Sequence, residues 1–146
     1  MASRGAPAVA FMGDIDREAL IARARAAAGK AYAPYSAFRV GAALVTGSGR
    51  VAVGCNVENG SFPVGGCAER HAIAAAVSEE GPTMRVAAIA VVALDPTGEP
   101  VACAPCGACR QAILEFGGDA RVIFQAGAAP TEVAAAELLP GAFSFG

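Results

Sequence analysis

Tryptophan is absent from the 146-residue chain, histidine occurs once, and aromatic side chains make up only 6% of it. So few rings do not fill a core by themselves, and those present are expected to have specific packing or stacking duties. No segment carries a run of Lys or Arg, and 11 basic against 13 acidic residues give a net charge of −2. The electrostatic footprint of a polynucleotide-binding face is therefore missing, because neutralising phosphates needs clustered cations. Uncharged apolar runs are also short. The longest, Val86 to Leu94, is nine residues, against the ~20 that a membrane-spanning helix needs. The stretch from Met1 to Phe11 has neither a positive cluster nor an apolar core of ~7–15 residues, so no secretory signal is read there. Residues 1–13 are expected to form a loose tail, and 14–146 a single domain.

What is present is apolar and small. At 55% hydrophobic with a mean hydropathy of +0.48 the chain is not intrinsically disordered. Much of that figure is alanine, which buries little area per residue, so a monomer core should be weak and association with further copies is expected. Five cysteines stand at Cys55, Cys67, Cys103, Cys106 and Cys109. The number is odd and three fall within seven residues, which suits a metal site in a reducing, cytoplasmic compartment better than a disulfide framework.

Asp14 is placed to cap a helix running to about Gly29, with Leu20, Ala24, Ala27 and Ala28 at helical spacing. Phe38 to Val45 and Arg50 to Cys55, separated by Gly47-Ser48-Gly49, predict a β-hairpin. Gly60, Pro63, Gly65 and Gly66 make Asn56 to Gly66 a loop that leads through Cys67 into a helix over Ala68 to Glu79. Val86 to Leu94 reads as a buried strand, Asp95 to Ala104 as a turn-rich loop, and Cys106 to Phe116 as a second helix launched from a loop. Arg121 to Gln125 is a short strand, and Thr131 to Leu139 is expected to be a final helix stopped by Pro140-Gly141. The order α-β-β-α-β-α-β-α indicates a layered α/β sandwich.

Cys67-Ala68-Glu69-Arg70 and Pro105-Cys106-Gly107-Ala108-Cys109 each stand at the expected start of a helix. Cys106 and Cys109, three apart in a first helical turn, project side by side, and Cys67 from a neighbouring helix start closes a three-sulfur cup around Zn²⁺. Helix N-termini favour thiolates and offset part of their collected charge. Three protein ligands leave a fourth corner for water, which is the arrangement of a catalytic zinc. Glu69, two residues after the first ligand and harder than the thiolates, is placed for proton transfer. Zinc deaminases as a class use a Cys-rich zinc site, a Glu that does not ligate, and a Pro-Cys-x-x-Cys segment.

Five segments, in order and spacing, carry the comparison further: Tyr35 to Ala43, Cys55-Asn56-Val57-Glu58-Asn59, Cys67 to Arg70, Pro105 to Gln111, and Leu138 to Phe143. Together they resemble the small homotetrameric cytidine deaminases over nearly the whole chain from Asp14 onward. The resemblance implies a three-layer α-β-α sandwich with a mixed sheet of about five strands. It implies one Zn²⁺ per subunit on Cys67, Cys106 and Cys109, and Glu69 as the proton shuttle. The implied reaction converts cytidine and deoxycytidine to uridine and deoxyuridine with release of ammonia, in pyrimidine salvage. Asn56 and Glu58 would hold the ribose hydroxyls, backbone at Ala68 the base, and Phe38 would pack on the substrate. Phe143 would reach a neighbouring subunit's active site, and Arg70 would hydrogen-bond the ligand sulfurs, restoring acidity that three thiolates remove.

Two departures from that family stand at His71, where a small or β-branched residue is common, and at Gly60-Ser61-Phe62, where Ala-Ser-Tyr is frequent. Gly65-Gly66 before Cys67 is similar to blasticidin S deaminases, whose substrate is a cytosine nucleoside antibiotic, whereas Asn56 and Glu58 favour an ordinary ribose or deoxyribose. His71, one turn after Cys67, is a candidate fourth ligand that would convert the site into a structural zinc. Cys55 and Cys103 read as small buried hydrophobes rather than ligands.

Overall fold

Residues 14–145 are described by the computed structural model; the expected tail over 1–13 lies outside them. The first helix, α1 (Arg17–Ala28), begins where the Asp16 side chain accepts from the Ala19 N–H at 2.9 Å. Asp16 is the cap rather than Asp14, because only the residue just before the first turn reaches a free amide three positions on. Leu20, Ala24, Ala27 and Ala28 form the buried stripe, as their spacing predicts. The hairpin of β1 (Arg39–Thr46) and β2 (Val51–Cys55) turns at Gly49, whose φ of +90° a side chain would resist. After a loop with one 3-10 turn (Phe62–Val64) come α2 (Ala68–Glu80), β3 (Val86–Leu94), the two-residue β4 (Pro100–Val101), α3 (Gly107–Phe116), β5 (Arg121–Gln125) and β6 (Pro130–Ala134).

The strands form one mixed sheet in the order β2-β1-β3-β5-β6, with β4 pairing to β3. Only β3 and β5 run parallel, joined across α3; the other pairs are antiparallel. Side chains alternate between two cores, as the strand period of two requires. Ala43, Val45, Ala88, Ala90 and Ile123 pack against α1, while Ala42, Leu44, Ile89, Val91 and Val122 lie on the side of α2 and α3. The architecture is a three-layer α-β-α sandwich with six strands.

Alanine and glycine set the spacing of these layers. Nearly half of the buried apolar residues are alanine. At Gly41 a Cβ would collide with the Ala24 carbonyl and the Ala28 amide of α1, and at Gly54 one would meet the Ala72 amide and stand 2.6 Å from the Ala68 carbonyl of α2. Helix backbones therefore rest almost directly on strand backbones, which is how so alanine-rich a chain reaches native packing density.

One expectation about the chain's second half is corrected. The mixed sheet, expected with about five strands, has six, since the loop over Asp95 to Ala104 contains β4 and the segment after Pro130 supplies β6. Thr131 to Leu139 is not a helix: β6 is followed by a single 3-10 turn, Ala135–Leu138. Thr131 and Val133 are β-branched, and pairing satisfies the edge of β5 that a helix would leave open. Glu132 reinforces the pair with an ionic contact to Arg121 at 3.3 Å.

Candidate active site

The chemistry-bearing segments collect at one edge of the sheet. Phe38 precedes β1, Asn56 follows β2, and Cys103 donates its N–H to the Gln125 carbonyl at the end of β5, 2.9 Å away. That edge holds the carboxyl ends of the parallel pair β3 and β5, where open α/β sheets place their ligands. A cavity of about 620 Å³ opens there, with Phe38, Asn56, Glu58, Ala68, Glu69 and Cys103 among its walls. Its size is that of a small-ligand pocket.

Cys67 and Cys106 are the N-cap residues of α2 and α3, both in extended conformation, and Cys109 lies in the first turn of α3. Their sulfurs lie within 4.8 Å of one another, with Cys67 and Cys106 4.0 Å apart. Ligands ~2.3 Å from a tetrahedral zinc stand roughly 3.8 Å apart, so the three thiols fit that ion with little movement. Among the described residues this is the only group of three or more potential ligands so placed.

Electrostatics separates the three. Burial pushes the fully enclosed Cys109 thiol far above its ordinary value, helped by the negative charge of Glu69 and Cys67. Burial also raises Cys67. Cys106 falls below the usual value: burial opposes the thiolate, but the N–H groups of Cys109 and Ala108 and the adjoining thiols outweigh it. Three thiols this close favour a cation among them, since like charges otherwise disfavour joint ionisation. Glu69, in the first turn of α2, is only 4% exposed and still lines the cavity.

The rim is built from hydrogen-bonded loops. Asn56 accepts from the Val40 N–H at 2.7 Å and donates to the Phe38 carbonyl at 2.8 Å, leaving one N–H and one lone pair for the cavity. One carboxylate oxygen of Glu58 accepts the N–H groups of Tyr35 (3.0 Å) and Ser36 (3.2 Å). Burial would raise its pKa, but hydrogen bonds from the Ser36 side chain and these two amides hold it below the ordinary glutamate value.

Of the residues singled out in the sequence, Phe38, Asn56, Glu58, Cys67, Ala68, Glu69 and Cys106 line the cavity, and Cys109 completes the sulfur cluster behind it. Phe143 does not: it lies outside the cavity, 72% exposed, edge-on to Phe145. Arg70 is exposed and donates to no cysteine sulfur among the described residues. His71 stands outside the sulfur group, and its Nδ1 donates to the Cys55 carbonyl at 2.7 Å. Cys55 and Cys103 are also outside that group, although Cys103 forms part of the cavity wall, its thiol pushed up to about 11 by burial and then by the charges of Glu69, Cys106 and Cys67.

Five contributors received no role from the sequence. Tyr35 and Phe62 stack edge to face on the rim, their ring centroids 5.6 Å apart. Gly60 lies under Tyr35, where a Cβ would stand 3.1 Å from the hydroxyl, so glycine at this position admits the ring. Arg110 donates to the Pro105 and Leu138 carbonyls, and Gln111 to that of Phe143, tying the metal-site loop to the C-terminal segment. The direct succession of Arg110 and Gln111 after Cys109 was the available signal.

Comparison with known proteins agrees with this geometry. Residues 14–126 match the family model described as the cytidine and deoxycytidylate deaminase zinc-binding region. The cytidine deaminase of Sporosarcina psychrophila is 44% identical over 132 residues, covering 89% of this chain and 93% of that protein. That of Halalkalibacterium halodurans is 46% identical over 132 residues, covering 89% and 96%. The crystal structure of the cytidine deaminase from Burkholderia pseudomallei superposes with a TM-score of 0.78 at 45% identity, covering 88% of this chain and all of that one. With the zinc-binding segments aligned over most of its length and three sulfurs gathered where a zinc ion fits, the chain belongs to the cytidine and deoxycytidylate deaminase family.

Proposed function

We propose that this protein is a zinc-dependent hydrolase that removes the exocyclic amine of cytidine and deoxycytidine, giving uridine, deoxyuridine and ammonia. One observation carries the reading: two cysteines of a three-sulfur cup and a buried carboxylate share the wall of a cavity large enough for a nucleoside. Zinc held by Cys67, Cys106 and Cys109 would supply the Lewis acidity that makes water a nucleophile at neutral pH.

The chain's own residues do the rest. Glu69 takes a proton from the attacking water and delivers it to the pyrimidine N3, then takes the proton of the hydroxyl newly added at C4 and delivers it to the departing amine. Its burial holds the carboxylate in one position and keeps bulk water from competing for those protons. Asn56, through its spare N–H and lone pair, and Glu58, through its second oxygen, hold the sugar hydroxyls. Backbone at Ala68 orients the base and Phe38 packs on it. Arg70 contributes a cation in the first turn of α2 beside ligands that together carry three negative charges. Incubation with cytidine and a panel of related nucleosides, followed by ammonia release, tests the proposal. Glu69→Ala should lower turnover by ~10²–10⁴-fold with zinc still bound. Loss of zinc from that variant, or turnover only of a modified cytosine nucleoside, would overturn the assignment.

We further infer a homotetramer whose active sites are shared. Phe143 is exposed and outside its own cavity, and Phe62 and Val64 are 74% and 68% exposed. Such apolar exposure is relieved by burial against further copies, and Phe143 is then available to a neighbouring site. Light scattering should give four times the chain mass. Five free thiols suit the reducing cytoplasm, where we place the enzyme; among the described residues no helix is long and apolar enough to cross a membrane.

A further inference from the structure

The His71 ring occupies a specific seam. Nδ1–H donates to the carbonyl of Cys55, the last residue of β2, at 2.7 Å. The other side of the ring lies against Gly66. A Cβ there would collide with Nε2 and stand 2.6 Å from Cε1. Cys55 immediately precedes Asn56, and Gly66 immediately precedes Cys67. Between these points the chain makes the rim loop, closed at its base by reciprocal hydrogen bonds of Val57 and Gly66, both 3.0 Å. The ring, carried by α2, therefore touches both ends of that loop.

We propose that His71 is a positioning residue that holds the sugar-binding loop in register with the metal-bearing end of α2, and that it makes glycine obligatory at position 66. The proposal rests on the cytidine deaminase reading of the site. The residues that do the chemistry do not depend on the ring: Cys67 and Glu69 are set by the packing of α2 on Gly54, and Cys106 and Cys109 by α3. The loop bearing Asn56 and Glu58 makes its other hydrogen bonds with Tyr32, Tyr35, Ser36, Phe38 and Val40 rather than with α2, so loss of the His71 contacts falls on sugar binding.

A double-mutant cycle over Gly66 and His71, read by kinetics, zinc content and Tm, tests this. His71→Ala should raise KM for cytidine roughly three- to tenfold, the worth of one hydrogen bond, with kcat within about twofold and zinc retained. His71→Asn, whose side-chain N–H can reach the same carbonyl, should recover most of that loss. Gly66→Ala should lower Tm and raise KM by about tenfold or more in the parent protein, by crowding the ring, yet cost little when combined with His71→Ala. If Gly66→Ala is as harmful without the imidazole as with it, or if His71→Ala leaves KM unchanged, the proposal is overturned. Tm coupling between the two positions needs no turnover, so a parent protein inactive on cytidine would refute the reaction while the cycle still judged the His71–Gly66 pair.

Discussion

The two walls of the cavity are made differently. The floor consists of the first turns of α2 and α3, where Ala68 and Cys109 are fully buried and Glu69 nearly so. The rim consists of loops, where Tyr35 and Phe62 are more than half exposed and the order comes from side chains gripping backbone: Asn56 on Phe38 and Val40, Glu58 on Tyr35 and Ser36. Each construction suits its task. Metal binding and the proposed proton transfer tolerate little displacement, and their residues sit on helices pressed against strands. The proposed recognition of a sugar tolerates, and uses, groups that adjust, and its residues sit on loops.

The largest contrast between the walls is expected from removing a sulfur at each. Cys109→Ala should abolish stoichiometric zinc and reduce turnover to background, because two thiols and a helix start do not make a tetrahedral site. Cys103→Ala, in the same cavity but outside the sulfur group, should keep its zinc. Metal analysis of the two purified variants decides it; zinc retained in the first, or lost from the second, would mean the ligand set is misassigned.

A methyl group added to the floor should act through stability. Gly54→Ala puts a Cβ into the backbone of α2 at Ala68 and Ala72, and main chain does not step aside as a flexible side chain does. A cost of about 3 kcal/mol, at the upper end of overpacking, corresponds to a Tm lower by roughly 10 °C. A calorimetric scan showing less than a third of that shift would mean α2 slides on the sheet, and that the floor is less rigid than its packing implies.

The floor was also the more legible wall. Its chemistry is concentrated in Cys67-Ala68-Glu69 and Cys106-x-x-Cys109, where local helix geometry alone predicts which side chains converge. The rim depends on contacts between distant residues. Nothing local to Glu58 says that its carboxylate will be held by amides 23 and 22 positions earlier, and nothing local to His71 says that its ring will meet Gly66. The same distinction explains the mistaken final helix. Alanine and glutamate between Thr131 and Leu139 favour a helix locally, but the open edge of β5, visible only once the sheet exists, makes β6 of that segment.

Glu58 offers a middle-sized test on the rim. Glu58→Gln keeps an acceptor for the Tyr35 and Ser36 amides but removes the charge, and hydrogen bonds to a charged group are the stronger kind, so KM should rise by about tenfold with kcat little altered. The pH dependence has a defined sign. Because the folded protein holds this carboxylate below the ordinary value of 4.5, its contribution is complete above 4.5 and is lost only as pH falls through the lowered value. KM of the parent enzyme should therefore stay flat from neutrality down to 4.5 as far as this group is concerned. A rise in KM that begins well above 4.5 and disappears in Glu58→Gln would show that the loop does not hold the charged form.

The smallest effect is expected from taking a methyl away. Ala37 has a φ of +56°, the one left-handed non-glycine residue among those described, and it sits between Ser36, whose hydroxyl accepts the Phe38 N–H at 3.0 Å, and Phe38 itself. Alanine in this region costs roughly 1–2 kcal/mol, which glycine would relieve, while glycine's extra freedom in the unfolded chain costs about 0.5–1 kcal/mol in return. Ala37→Gly should therefore shift Tm upward by at most a few degrees. The ring it presents should nevertheless be less well fixed, raising KM by no more than about threefold if Phe38 packs on the substrate through shape alone. A Tm that falls, against this sign, would mean that the Ala37 methyl is packed rather than merely strained, and would make this part of the rim resemble the floor.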